Sequence, residues 1–188
     1  MKTYRMLYVD GVIDDELITQ ANDRYISAYW NYNHGARRGD NTTFFVSQLL
    51  QDKTELQDCN LQKEIFSRIK EYFKFTVKES EYDRQNCFLN GQTYELDGAE
   101  HTDNGYCDTS EPEKLYTIIY MVNKDDSGLR GFKTPYTTVP YKSGRVVLCQ
   151  SIMPHAGLSC DVKNKLRMTL VWKGYHLEFD NDSPMVIE

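Results

Sequence analysis

Leu166-Arg167-Met168-Thr169-Leu170-Val171-Trp172 alternates large apolar side chains with a guanidinium and a hydroxyl. At a period of two, Leu166, Met168, Leu170 and Trp172 share one face of a strand, and Arg167 and Thr169 share the other. The segment therefore reads as a β-strand with a core side and a polar inner side. An inward guanidinium is costly unless an interior group hydrogen-bonds and neutralises it. A dicarboxylate ligand supplies such a group, because the planar arginine fork takes a carboxylate through two parallel hydrogen bonds and the threonine hydroxyl can serve a remaining lone pair. Lys165 shares that strand face and is the one competitor for the role; Arg167 is the better match to a bidentate partner.

Upstream, the apolar run Val146-Val147-Leu148 leads to Ile152-Met153-Pro154-His155-Ala156-Gly157, and further back lies His101-Thr102-Asp103. In extended chain the side chains at i and i+2 point the same way, so His101 and Asp103 can offer an imidazole and a carboxylate to one ion. His155 would bring a second imidazole from a distant strand. Two neutral imidazoles and one carboxylate on one face of a metal leave the opposite positions open, the arrangement associated with non-haem Fe(II) oxygenases. His34 and His176 have no neighbouring ligand types at strand spacing and are assigned no role.

The stretch from Asn90-Gly91-Gln92-Thr93-Tyr94-Glu95-Leu96-Asp97-Gly98-Ala99-Glu100-His101-Thr102-Asp103-Asn104 to Thr169-Leu170-Val171-Trp172-Lys173 resembles the 2-oxoglutarate- and Fe(II)-dependent dioxygenases, and within them the prolyl 4-hydroxylase-like group. The resemblance covers roughly the C-terminal half. It implies a double-stranded β-helix, or jelly roll, with His101, Asp103 and His155 as the catalytic Fe(II) ligands. It implies Arg167 as the clamp for the distal carboxylate of 2-oxoglutarate, with Thr169 as the hydroxyl partner; many prolyl hydroxylases carry lysine at the clamp. The family usually has a tyrosine beside the co-substrate, for which Tyr94 and Tyr116 are candidates. The implied chemistry uses O2 to decarboxylate 2-oxoglutarate to succinate and CO2 and to hydroxylate the substrate. Related halogenases have a small residue in place of the carboxylate, so Asp103 favours hydroxylation. A prolyl residue of a peptide or protein is the implied substrate, and a free amino acid or other small molecule is the alternative.

Composition agrees with one compact domain over 1–188, helical support over about 1–80 and a catalytic jelly roll over about 81–180. The chain is 40% hydrophobic and 13% aromatic, which disfavours disorder. Its net charge of −6 argues against nucleic-acid binding, though Arg37, Arg38 and Arg130 could form a local basic rim. No apolar run approaches the roughly 20 residues needed to span a membrane. A soluble, cytoplasmic protein is expected, and the sequence leaves its oligomeric state open. The five cysteines, Cys59, Cys87, Cys107, Cys149 and Cys160, form no Cys-x-x-Cys pair and suggest neither a zinc knuckle nor a disulfide framework.

Asp14 or Asp15 is positioned to cap a helix running to about Trp30, with Leu17, Ile18, Ala21, Tyr25, Ala28 and Tyr29 on one stripe. Leu61, Ile65, Phe66, Ile69, Tyr72 and Phe73 mark a second amphipathic helix. Both helices are expected to cover one face of a sheet. Strands are expected from about Thr93 onward, at Tyr116 to Val122, Thr137 to Tyr141, Arg145 to Gln150 and Leu166 to Lys173. The segments Asn31 to Asp40, Asn104 to Lys114 and Leu129 to Pro135 read as loops near the mouth of the site. Two other classes remain: a non-catalytic metal-binding or interaction domain on the same fold, and a cupin-like metalloenzyme that does not use 2-oxoglutarate. The pairing of Arg167 with Thr169 counts against both.

Overall fold

The computed structural model describes residues 4–35, 43–78, 84–103 and 111–185. Arg37, Arg38, Cys107 and residues 104–110 of the expected loop Asn104 to Lys114 lie outside them. Helix α1 spans Asp15–Ile26 and α2 spans Asn60–Phe73. The strands are β1 (Met6–Val9), β2 (Asn31–Gly35), β3 (Thr43–Gln51), β4 (Thr54–Glu55), β5 (Phe75–Val77), β6 (Asn86–Gln92), β7 (Leu115–Met121), β8 (Phe132–Lys133), β9 (Thr138–Val139), β10 (Val146–Gln150), β11 (Ala156–Gly157) and β12 (Arg167–Phe179). No described helix is long and apolar enough to cross a membrane.

The major sheet runs β1-β10-β7-β12-β6-β3-β2, with β4 beside β3 and β5 beside β12; a minor sheet runs β11-β8-β9. All of these pairings are antiparallel. This is the expected jelly-roll architecture of two facing sheets backed by helices; the sheet is not closed into a barrel.

Strand alternation divides the interior into two cores. Met168, Leu170 and Trp172 of β12, Ile118 and Tyr120 of β7, and Val146 and Leu148 of β10 pack against Leu17, Ala21 and Tyr25 of α1 and Ile65, Ile69 and Phe73 of α2. The opposite faces of the same strands, with Val171, Ile119, Met121, Val147 and Cys149, pack against Phe132 and Val139 of the minor sheet. Four of the cysteines are buried and unpaired, as the spacing suggests.

Helix α1 starts where expected, with the Asp14 carboxylate accepting from Leu17 N at 2.8 Å. It stops at Ile26, short of Trp30, and Tyr29 is 75% exposed. Ser27 and the following Asn31 and Asn33 favour leaving the helix, and the chain enters edge strand β2. The first half is accordingly more stranded than its helical stripes suggest. Strand β3 escapes the period-two pattern because Phe44-Phe45 and Leu49-Leu50 are adjacent apolar pairs, and a register shift between Gln48 and Leu50 moves the buried set. Strand β6, Asn-Cys-Phe-Leu-Asn-Gly-Gln, is too polar to read as a core strand because Asn90 and Gln92 face an interior cavity. The expected loop at Leu129 to Pro135 contains the short strand β8.

The Asp10–Arg145 pair ties the loop after β1 to the start of β10. Arg145 is buried, and its Nε and Nη2 donate to the two Asp10 oxygens at 2.7 and 2.9 Å. The Arg145 hydrogen bond outweighs the opposing effect of burial and lowers the Asp10 pKa from 3.8 to about 2. A depressed carboxylate contributes stability above its unfolded pKa and loses it as pH falls through the folded value. Asp10→Asn should therefore lower the melting temperature at neutral pH, by at most about 1 kcal/mol of stability for so exposed a carboxylate. Melting curves of the two proteins should converge between pH 4 and 2, over the interval that separates the two pKa values.

Candidate metal centre and anion cavity

His101 and His155 are brought together by the backbone itself. Each donates its amide N–H to the other's carbonyl at 2.9 Å, forming an isolated antiparallel bridge, and the two rings lie 4.6 Å apart. Each imidazole Nδ1 is 2.9 Å from the carbonyl two residues earlier, Ala99 for His101 and Met153 for His155. With Nδ1 donating to a carbonyl, Nε2 is left as the lone-pair nitrogen. Asp103 is fixed by its amide donating to Ser151 O at 2.7 Å, and its Oδ2 accepts from Thr117 Oγ1 at 2.7 Å.

The three side chains converge. His101 Nε2 is 3.4 Å from Asp103 Oδ1, and His155 Nε2 is 3.2 Å from Asp103 Oδ2. All three ligand atoms lie within 4.8 Å of one another. Ligands bound at about 2.1 Å in adjacent positions sit about 3.0 Å apart, so a small relaxation admits one ion. Among the described residues this is the one cluster of three such groups. Burial of Asp103 opposes ionisation, but the Lys173 ammonium and the two imidazoles prevail and hold its pKa well below the usual range. The carboxylate is therefore charged and ready for a cation.

Arg167, Thr169, Val171 and Lys173 of β12 line one wall of a cavity whose other walls include His101, His155, Asn90, Gln92, Thr117 and Phe132. The register pairs Arg167 with Gln92 and Thr169 with Asn90. Arg167 is 2% exposed. Its Nε donates to Arg130 O at 2.6 Å, one terminal nitrogen to Gln92 Oε1 at 2.6 Å and the other to Gly131 O at 2.9 Å. Of its five N–H groups, one on each terminal nitrogen remains. The Tyr141 ring lies 5.4 Å from the guanidinium, and burial lowers the Arg167 pKa to about 10. Among the described residues no carboxylate forms an ion pair with it. A buried charge held only by neutral partners calls for an anion. The Asn90 side-chain oxygen is likewise buried without a hydrogen-bond partner among the described residues, a second polar position in the cavity wall.

Several expected residues fall elsewhere. Tyr116 faces the helix-side core with its ring 5.1 Å from Phe179, because its neighbour Thr117 takes the cavity-facing position and strand faces alternate. Tyr94 is outside the cavity lining, with Lys163 Nζ 5.6 Å from its ring. Lys165 also departs from the predicted face: Asn164 has φ 61°, β12 begins only at Arg167, and Lys165 Nζ bonds Asp125 and Ser127 O at 2.7 and 2.6 Å. The residues not anticipated are Asn90, Gln92, Thr117 and Lys173. Lys173 carried a signal, since continuing the alternation of Arg167 and Thr169 by two more steps reaches it.

No family model and no curated protein matches the sequence. Solved structures do. A 2OG-Fe(II) oxygenase family oxidoreductase from Burkholderia pseudomallei superposes with a TM-score of 0.64 at 10% identity, covering 95% of this chain and 88% of that one. The fold is that of the 2OG-Fe(II) oxygenases. A prolyl hydroxylase from Trichoplax adhaerens, in complex with a hypoxia-inducible-factor peptide fragment, shares this oxygenase fold with a TM-score of 0.60 and 13% identity over 91% of this chain and 83% of that one. The non-haem α-ketoglutarate-dependent epimerase SnoN of nogalamycin biosynthesis gives 0.61 and 13% over 90% and 76%.

Proposed function

We propose that this protein is a 2-oxoglutarate- and Fe(II)-dependent oxygenase that hydroxylates its substrate. The observation that carries the reading is Arg167, a fully buried cation paired only with neutral groups among the described residues, in the wall of the cavity that His101 and His155 of the metal cluster also line. A non-catalytic metal-binding domain has no need of such a buried, anion-seeking fork. In this reading His101 Nε2, His155 Nε2 and an Asp103 oxygen hold Fe(II), Arg167 grips the distal carboxylate of 2-oxoglutarate, and Thr169 and Asn90 complete the polar wall. Bound Fe(II), with 2-oxoglutarate and O2, supplies the oxidising equivalent for hydroxylation as 2-oxoglutarate becomes succinate and CO2. The chain's part is to fix the ligands, hold the co-substrate by charge and keep water away with Phe132, Ile119 and Val171.

A prolyl residue in a peptide is one substrate reading, supported by motif spacing and by the likeness to the Trichoplax prolyl hydroxylase fold. A small molecule is the other, and the likeness to the fold of the epimerase SnoN supports it. Anaerobic titration of the protein with Fe(II) and then 2-oxoglutarate tests the enzyme class. A visible metal-to-ligand charge-transfer band, which needs a chelating 2-oxo acid at an open ferrous site, is the expected result; its absence with both components bound would sink the assignment.

The cavity also predicts the effect of Gly157→Ala. A Cβ there would lie 2.9 Å from Gln92 Oε1, the oxygen that receives the Arg167 N–H, and 3.7 Å from that Arg167 nitrogen. Displacing Gln92 unsettles the fork, so the 2-oxoglutarate dissociation constant should rise by about tenfold, the size of a hydrogen bond to a charged group. Iron content should be unchanged. Calorimetric titration of both ligands checks the pair of statements.

A further inference from the structure

We infer that Asp97 is the positioning residue of the anion clamp: its carboxylate ties together the segments whose oxygens aim the Arg167 guanidinium at the distal carboxylate of 2-oxoglutarate. The inference rests on the oxygenase reading above. Three neutral acceptors orient Arg167. Arg130 O takes Nε at 2.6 Å, Gly131 O takes one terminal nitrogen at 2.9 Å and Gln92 Oε1 takes the other at 2.6 Å. The fork is therefore only as well placed as residues 92, 130 and 131.

Asp97 holds that set from outside. Its Oδ1 accepts the Ser159 amide N–H at 2.7 Å, and Arg130 Nη1 donates to Oδ1 and Oδ2 at 3.2 and 3.1 Å. The two segments it joins are already neighbours: Arg130 N–H donates to Ser159 O at 2.9 Å, and Leu158 N–H donates to Gly131 O at 3.0 Å. Leu96, the residue before Asp97, accepts from Gln92 Nε2 at 2.9 Å, so the third acceptor hangs from the same turn. Gly131 is also clasped from the other side, since a Cβ there would clash with Val139 O. Neither Asp97 nor Arg130 lines the metal cavity; both line a separate surface pocket, so Asp97 acts through Arg167 and does not touch the co-substrate. Burial opposes ionisation of Asp97, but Ser159 and Arg130 prevail and hold its pKa below the usual carboxylate value. A half-exposed ion pair of this kind adds little to stability. Its value is geometric, because misplacing a binding group by about 1 Å can cost on the order of a hundredfold.

Charge and geometry predict opposite signs for the loss of Asp97. Burial lowers the Arg167 pKa to about 10, and the Asp97 carboxylate works against that effect. A negative charge that favours the guanidinium also repels a second anion brought beside it. If Asp97 acted by charge alone, Asp97→Asn would tighten 2-oxoglutarate binding. A positioning residue requires the reverse.

The test follows the charge-transfer band of the anaerobic Fe(II)-loaded protein while titrating 2-oxoglutarate and, separately, 2-oxopentanoate, which keeps the chelating end and has a methyl group in place of the distal carboxylate. Asp97→Asn should raise the 2-oxoglutarate dissociation constant by about tenfold, the weight of one hydrogen bond to a charged group. The constant for 2-oxopentanoate should not change, and Asp97→Glu should recover part of the loss. In an Arg167→Lys background Asp97→Asn should add nothing further, because the two residues act through one set of contacts. In the metal-free protein the Arg167 Nε–H resonance should shift and exchange with solvent faster in Asp97→Asn. A substitution that merely loosened the fold would lower the melting temperature and weaken both 2-oxo acids alike. The inference is overturned if 2-oxoglutarate binds Asp97→Asn as tightly as the unmodified protein or more so, if both acids weaken equally, if the effect persists in full in the Arg167→Lys background, or if the Arg167 resonance is unmoved. Failure of the unmodified protein to form the band would instead overturn the oxygenase reading, and this inference with it.

Discussion

His155→Ala protein, purified and supplied with Fe(II), should contain no stoichiometric iron. The loss is expected to be close to complete, because two of the three donor atoms cannot hold the ion against water at a site with no fourth ligand among the described residues. His101→Ala should behave in the same way. The fold should survive both changes: the bridge between positions 101 and 155 is made by backbone amides and carbonyls, which alanine keeps. Metal analysis with circular dichroism separates the outcomes. Stoichiometric iron in His155→Ala would remove it from the ligand set.

The second large effect belongs to Arg167. Arg167→Ala should raise the 2-oxoglutarate requirement by an amount equivalent to about 2–5 kcal/mol, the usual cost of deleting one partner of a buried charge pair. Iron binding should be spared, since Arg167 bonds Gln92, Arg130 and Gly131 and touches none of the three ligand side chains. Arg167→Lys should recover only part of the loss, because an ammonium cannot reproduce the fork. Lys165→Ala serves as the comparison; its Nζ is committed to Asp125 and Ser127, so little change is expected. A larger effect at Lys165 than at Arg167 would place the anion site on the wrong residue.

The parts of this molecule legible in its sequence are those where one periodicity runs undisturbed. Strand β12 shows its two faces from Leu166 to Trp172, and the alternation of His101 and Asp103 foretells their convergence. Helices α1 and α2 announce themselves by stripes and, for α1, by the Asp14 cap. What stayed hidden had a physical cause each time. Strand β3 carries a register shift that spoils its alternation. Strand β6 is polar because Asn90 and Gln92 face the cavity, so the site itself disguised the strand. Tyr116 stands one residue out of parity with the cavity-facing Thr117, and nothing in composition distinguishes it from the chain's 13 other tyrosines. Lys173 lay within the alternating segment, but its meaning depends on knowing that Asp103 is beside it.

The interior position of β12 in the major sheet, hydrogen-bonded to β6 on one side and β7 on the other, makes it a graduated ruler. Its cavity-facing marks are fixed by the pleat, at roughly 7 Å for every two residues. The spacing between Arg167 and the side chains at 169, 171 and 173 is therefore set by a rigid strand and not by any loop. Changes in the surrounding loops can alter which molecules enter the cavity without moving the backbone position from which the guanidinium holds the anion.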